Sequence, residues 1–456
     1  VKLPLSPPEL VGLLTKTPPY ELVHAMRMQE GGLVHGDYMH WDELRHRPTP
    51  EGVQHETWWL AVRMARQGLL KQLPLLDKYN QPMVVAMPEP VLRDLHHIDQ
   101  DAAGRVSLPG DVVNPADRDD YIFNSLIEEA VTSSQLEGAS TTRLIAEEML
   151  RAGRQPRNHS ERMIFNNYQA MDWIRSIKDR PLTPELVLEL HQRVTHGTLD
   201  DPADAGRLRQ RDDVRVVDNR DGTVLHEPPL ASSLAERLER LCTFANGGEG
   251  GGEGEKQPFV HPVVRSILLH FMIAYDHPFT DGNGRTARAL FYWSMARQGY
   301  WLMEYLSISR IIKQAPKQYS LAYLHVETDD NDTTYFLIHQ LRVIRRAITA
   351  LHEYLARKGA EQRGTARLLQ TSPTLRGKLN QRQITLLTHA LKQPGFDYVI
   401  EAHQRSQGVS YATARADLLG LAELGLLEQT KRGRAFVFIA PDDLRQRIES
   451  AHTVKG

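Results

Sequence analysis

The chain has 456 residues, more than one ordinary hydrophobic core supports, so two or three domains are expected. With 41% hydrophobic and 25% charged residues it has the composition of a soluble globular protein, and a formal net charge of −2 gives the whole molecule no bias toward nucleic acid or membranes. A single cysteine, Cys242, excludes an intramolecular disulfide framework and fits a reducing compartment. No stretch approaches ~18 uninterrupted apolar residues, which excludes a transmembrane helix. The Pro-rich start lacks the apolar core of a signal peptide. A cytoplasmic setting with no membrane partner is therefore expected.

In chain order, residues 1–120 are the least informative, and the fold of 1–110 stays open. Helical periodicity is visible at 56–70, through Trp59, Leu60, Val62, Met64 and Ala65. Residues 99–120, with Gly, Pro and acidic side chains, predict a connecting loop. Tyr121, Ile122, Leu126, Ile127 and Val131 then recur at helical spacing, and Gly138 is placed to end that helix. Further helices are predicted at 160–178, 183–196 and 230–245. Thr183-Pro184-Glu185 supplies an N-cap and a Pro at the first helical position. Between the last two, the Val-rich arms 213–217 and 223–226 flank an Asp-Gly turn and predict a β-hairpin. The Gly-Glu run 247–256 is a low-complexity linker; its Lys256 follows Glu255 rather than Gly, which excludes a Walker loop.

His261-Pro262 opens an apolar helix that leads into His277-Pro278-Phe279-Thr280-Asp281-Gly282-Asn283-Gly284-Arg285-Thr286-Ala287-Arg288. A second apolar helix leads out, so this run predicts a loop closing onto a helix N-terminus. Asp281 offers hard oxygens suited to Mg²⁺. Gly282 and Gly284 allow a backbone that brings amides close to an anion, and the helix adds its unpaired N–H groups. Arg285 and Arg288, three apart, share a helix face and can grip a polyphosphate. His277 at the rim can take a proton near neutral pH. A lone Gly-Asn-Gly is more often only a turn. Here, however, the run matches His-x-Phe-x-Asp/Glu-Gly-Asn-Gly-Arg-x-x-Arg at every fixed position, and on that ground the chain resembles the Fic family.

The resemblance implies a mainly α fold: a Fic-type helical bundle with a small β-hairpin flap. It implies transfer of a nucleoside monophosphate, usually AMP from Mg-bound ATP, to a hydroxyl side chain of a target protein, with ATP and Mg²⁺ as cofactors. His277 would be the base and Asp281 the metal ligand. Gly282, Asn283 and Gly284 would donate to the phosphates, and Arg285 and Arg288 would bind the β- and γ-phosphates. Ser133-Ser134-Gln135-Leu136-Glu137-Gly138 resembles the family's inhibitory motif through Ser133, Glu137 and Gly138, which implies that Glu137 pairs with Arg288. The 213–226 hairpin resembles the flap that pairs with an extended target segment, and Val216 on its first arm would lie beside the nucleotide. Tyr319 matches one of two tyrosines that border the nucleoside in the family. Ser320 departs from the second, which leaves the base contacts and the identity of the nucleotide open. Asp329–Thr334 predicts a loop capping a helix at 335–355.

The last part changes character: between Arg357 and Ala440 thirteen Lys and Arg face six Asp and Glu, a local net of +7. Residues 382–392 are helical, and Ser410 is placed to cap a helix through Leu419. Lys431-Arg432-Gly433-Arg434 gives a basic tip before an apolar strand. This stretch resembles a winged helix-turn-helix domain. DNA is its candidate partner through Arg415, Lys431, Arg432 and Arg434, with protein docking as the alternative. The expected division is 1–110, a Fic domain with inhibitory helix at 111–357, a linker at 358–375, and the winged helix at 376–445. Candidate partners are a target protein bearing a Ser, Thr or Tyr hydroxyl, the chain itself included, and a second copy of the chain. Three alternatives stay open: removal of AMP from a modified protein, a different nucleotide donor, and a DNA-binding regulator in which the Fic part is a sensor.

Overall fold

The computed structural model describes residues 2–103, 115–218, 220–247, 259–371, 375, 377–391, 393–432 and 435–450. The chain divides into two units, 1–351 and 352–456. Among the described residues no helix is long and apolar enough to cross a membrane.

The first unit is mainly helical, with two small antiparallel hairpins. Its centre is a pair of helices, Pro262–Asp276 and Asn283–Arg297, packed on each other. Val263, Ile267, Leu268, Leu269, Phe271 and Ile273 point around most of the first helix and are all buried, as befits a helix covered on every side. His261 caps it, accepting from Val263 N–H, with Pro262 at the first helical position. Ser266 Oγ donates to Ser294 Oγ at 2.8 Å, which sets the two helices in register. The helix Pro115–Leu136 packs across Asn283–Arg297, His159–Ser176 and Ile308–Gln314. It is pinned by Glu129, a buried carboxylate that accepts from Tyr292 Oη (3.0 Å), Ser307 Oγ (2.8 Å), and both the N–H and Oγ of Ser309. Four donors on one buried carboxylate offset its desolvation.

Three expectations are corrected here. Residues 115–120 are helical rather than loop, and Asp99–Ala103 forms a π-helical turn. Asp99 stabilises that turn by accepting from Tyr300 Oη at 2.7 Å and pairing with His261 Nε2 at 3.1 Å. Residues 1–103 are not a separate unit: they belong with the rest of 1–351. Their core, around Trp58, Trp59, Leu60 and Val62, is tied to 329–335 by Arg63–Asp329 at 3.0 Å, Arg66 to Tyr335 Oη at 2.9 Å and Tyr38 Oη to Asp332 at 2.5 Å. Third, the helix beginning at Thr334 runs to Thr371, so 358–371 is helical where a linker was expected. Asp332 Oδ1 accepts from Thr334 N–H at 3.0 Å, the capping role anticipated for that acidic cluster.

The second unit has helices Gln381–Ala390, Ile400–Gln407, Tyr411–Glu423 and Leu444–Ser450. A three-stranded antiparallel sheet places Ala435–Ile439 between Asp397–Val399 and Glu428–Arg432. Leu387, Leu418, Leu421 and Phe438 are at the heart of its core. Asn380 and Gln383 form a reciprocal capping box, and Ser410 accepts from Thr413 N–H.

Candidate active site

The helix Pro262–Asp276 ends where Asp276 is gripped by Arg237, whose Nε and Nη2 donate to Oδ1 at 2.9 and 2.6 Å. Arg237 Nη1 also donates to Asp77 O, so three segments meet behind the next residue. That residue is His277, in left-handed conformation at φ 44°, ψ 55°. Such a backbone is uncommon for a side chain with a Cβ and turns the chain sharply out of the helix. Its Nδ1 is 3.2 Å from Ala274 O. A carbonyl only accepts, so Nδ1 carries the hydrogen and Nε2 keeps its lone pair. Burial lowers the pKa of this imidazole below 6.5, which favours the neutral, basic form at pH 7.

The loop that follows is fixed by its own residues. Asn283 Oδ1 accepts from Phe279 N–H at 3.0 Å, and its Nδ2 donates to Phe279 O at 2.9 Å. The Asn283 side chain thus closes the loop, and its main-chain N–H is the donor it keeps for an anion. Gly282 has φ +83°, and a Cβ there would lie 2.5 Å from Thr195 Cγ2, so no other residue fits. Gly282 leaves the helix without a side-chain cap, so its first-turn N–H groups are open to an anion. The Asp281 side chain is 56% exposed, with Oδ1 accepting Gly282 N–H at 2.5 Å and Oδ2 3.4 Å from Arg285 Nη2. Exposed hard oxygens with lone pairs left over fit Mg²⁺.

Arg285 is fully buried; its Nη1 donates to Val194 O at 3.3 Å. Arg288 is held from the neighbouring helix: Nε donates to Ser133 Oγ at 2.8 Å, Nη2 to Ser133 O at 3.0 Å and to Glu137 Oε1 at 2.8 Å. Glu137 thus sits on the cradle. A Cβ on Gly284 would lie 2.1 Å from its Oε1, so the carboxylate enters the space that this glycine leaves. Its negative charge also acts on His277 and Arg285. The structure therefore brings His277, Gly284, Arg285, Arg288, Ser133 and Glu137 together. Tyr319 is behind Arg288, with its hydroxyl bonded to His270 Nε2 at 2.9 Å and Tyr323 Oη at 3.1 Å.

The hairpin pairs Val216–Val217 with Val224–His226 in antiparallel fashion, Val216 opposite His226. Val216 is half-buried, and Asn219 lies outside the described residues. His226 bridges Tyr275 O at 2.6 Å and Glu327 at 2.8 Å, so the second strand is tied to the end of the catalytic helix. In the second unit Arg415 and Lys431 are exposed, with Lys431 Nζ 5.4 Å from the centre of the Phe436 ring. Arg434 and the Arg432 side chain lie outside the described residues.

Two residues to which the sequence assigned no role of their own, Arg209 beside the hairpin and His191, hold this site. Arg209 N–H donates to Pro278 O at 2.9 Å, its Nε to His277 O at 3.0 Å, and its Nη2 to Pro229 O. It locks the catalytic loop to the base of the hairpin. His191 is in van der Waals contact with Phe279 and bonds to Asp281 O. Its position continues the buried stripe Val187, Leu190, Val194, and a histidine on an apolar face is the signal that would have marked it.

A family model for the Fic/DOC family matches residues 181–295. The chain is 27% identical over 203 residues to the protein adenylyltransferase Fic of Drosophila virilis, which is 44% of this chain and 38% of that protein. It is 28% identical over 205 residues to the protein of the same name in Aedes aegypti, 44% of this chain and 37% of that one. The matched region is under two fifths of the length of these curated relatives. A solved structure of a Fic family protein from Desulfovibrio desulfuricans G20 has a TM-score of 0.49 at 17% identity, over 77% of this chain and 96% of that one. Fic-1 of C. elegans, residues 134–508, has a TM-score of 0.45 at 18% identity, over 76% and 92%. Residues 181–295, which hold the base, the carboxylate and both arginines, thus match the Fic/DOC family.

Proposed function

We propose that the chain is a protein adenylyltransferase that moves AMP from Mg-bound ATP to a Ser, Thr or Tyr hydroxyl of a target protein, and that Glu137 restrains it. The observation that carries this reading is the pairing of a base with an occupied anion cradle: His277 offers a free Nε2 while Glu137 bonds to Arg288 over Gly284. The acceptor hydroxyl oxygen attacks the α-phosphorus, its proton passes to His277 Nε2, and the bond to the bridging oxygen breaks to release pyrophosphate. Mg²⁺ held by Asp281 would neutralise charge on the leaving group. The first-turn amides from Asn283 and Gly284 face the phosphates. Arg285 and Arg288 bind the β- and γ-phosphates, the latter once Glu137 withdraws. Loop closure by Asn283 and Arg209 holds the base and the cradle in fixed relation, so no reorganisation is needed as charge develops.

The distant, partial likeness to adenylyltransferases supports AMP as the transferred group. Intact mass after incubation with Mg·ATP, wild type beside Glu137→Gly and Glu137→Gly/His277→Ala, tests the reading. A gain of one AMP in Glu137→Gly that disappears with His277→Ala is expected. No adduct on the chain or on any added protein would overturn it.

For the second unit, the order helix, strand, helix, helix, hairpin supports a winged-helix domain. Exposed Arg415 and Lys431 favour the phosphates of duplex DNA as its ligand. Binding to duplex DNA that weakens steeply with salt tests this reading; no binding at low salt would remove it.

A further inference from the structure

His191, on the helix Pro184–Thr195, is fully buried beside the catalytic loop. Its Nε2 is 2.9 Å from Asp281 O, and its Nδ1 is 3.0 Å from Gly206 N. A carbonyl only accepts and a main-chain N–H only donates, so the ring is the Nε2–H tautomer with its Nδ1 lone pair turned to Gly206. Its face stacks on Phe279, centroids 3.7 Å apart and planes 3° from parallel. A Cβ at position 282 would come within 3.3 Å of Nε2, so the next residue along is shaped around the same ring. One imidazole therefore spans two backbone points, the carbonyl of Asp281 and the turn that leads toward the hairpin.

We propose that His191 is a positioning residue that fixes the Asp281 main chain against the Gly206 turn and so aims the Asp281 carboxylate at the metal–nucleotide. The inference rests on the reading of Asp281 as the metal-bearing carboxylate. The physical argument is local. The direction of the Asp281 Cα–Cβ bond follows from the orientation of its peptide planes, and the bond from His191 holds the plane on its carbonyl side. The carboxylate itself is more than half exposed and, among the described residues, has only Gly282 N–H and a distant Arg285 Nη2 to orient it. Without the ring, the Asp281 carbonyl loses its bond to His191 and the carboxylate samples more directions. Partners of this outer kind change metal affinity by about 10- to 100-fold when removed.

The test uses the full chain with Glu137→Gly, so that the cradle is open, and a fluorescent ATP analogue titrated in EDTA and in Mg²⁺. The readout is the ratio of the two affinities, which reports the metal's share of binding. His191→Phe retains the stack on Phe279 and loses both hydrogen bonds; His191→Gln restores a donor toward Asp281 O. We expect His191→Phe to reduce the Mg²⁺ gain about tenfold with the EDTA affinity unchanged, and His191→Gln to recover part of it. A full Mg²⁺ gain in both variants overturns the role of His191 and leaves the nucleotide site standing. An equal loss of EDTA affinity and of Tm in both marks a merely structural residue and also overturns it. No Mg²⁺ gain in the Glu137→Gly parent removes the metal reading of Asp281 itself, and this inference with it. If His191→Phe does not fold, the Gln variant carries the comparison.

Discussion

The catalytic loop 277–288 and the segment 410–439 of the second unit are both built around a helix N-terminus with basic side chains nearby, yet they differ in what surrounds the charges. At the loop, His277 is held by Ala274, Asn283 by Phe279, and Arg288 by Ser133 and Glu137, with Asp276 just before it held by Arg237. Arg285 and Arg288 are almost wholly enclosed. In the second unit the buried Asp417 bonds to Arg382, Asn380 and His403 and stabilises the fold. Arg415 and Lys431 extend into solvent from that frame. Bond-making requires groups fixed before the substrate arrives, and burial fixes them. Recognition of a polyanion requires only exposed cations on a stiff support. Buried charge pairs with named partners therefore point to chemistry, whereas exposed ones point at most to attraction.

Substitutions break or sharpen that contrast. The largest effect is expected at the base: His277→Ala in the Glu137→Gly background lowers labelling from α-³²P-ATP by about 10²- to 10⁴-fold, with nucleotide binding retained. A loss under threefold would place the base elsewhere. In the second unit the comparable loss is one of stability. Leu418→Ala removes a fully buried side chain and costs about 2–5 kcal/mol, read as an earlier urea transition of that unit. Glu137→Gly removes a charge-assisted bond to Arg288 and is expected to raise labelling by about tenfold or more, equivalent to about 1.4 kcal/mol. An unchanged rate with normal ATP affinity would end its inhibitory role. The pH profile is subtler. The His277 pKa is lowered by burial, so the base form persists into mild acid, and the acid limb of kcat/KM should have its midpoint below 6.5. The smallest effect is expected on the exposed charges: Arg415→Ala and Lys431→Ala each flatten the salt slope of DNA binding by about 1, whatever the sequence of the duplex.

Much of the site was legible in the sequence because it is contiguous. Twelve residues in a row contain the base, the carboxylate, the glycines and both arginines, and Ser133 and Glu137 stand in a short pattern of their own. The helices were legible where caps and periodicity agreed, as at Thr183-Pro184 and His261-Pro262. What could not be read was long-range. Arg209, His191 and Arg237 act from 39 to 90 positions away in sequence, the first two on main-chain atoms of the loop and Arg237 on the Asp276 carboxylate before it, and no local pattern records such pairs. The attachment of residues 1–103 to the acidic turn at 329–335 was hidden for the same reason: the partners of Arg63 and Arg66 in that turn lie more than 260 positions on, and only folding shows the two side chains enclosed. The loop-closing bonds of the Asn283 side chain to Phe279 were likewise not legible, because an amide beside two glycines suits a ligand and a turn equally well.

Under the proposed function, the missing methyl group at position 284 ties restraint and turnover to one footprint. Any side chain there would collide with Glu137 Oε1, and the same bulk would press on whatever anion replaced it. Drift at this position cannot release the brake while sparing the engine, so a fully unleashed form of the protein is more readily reached by changing residue 137 or the helix that delivers it.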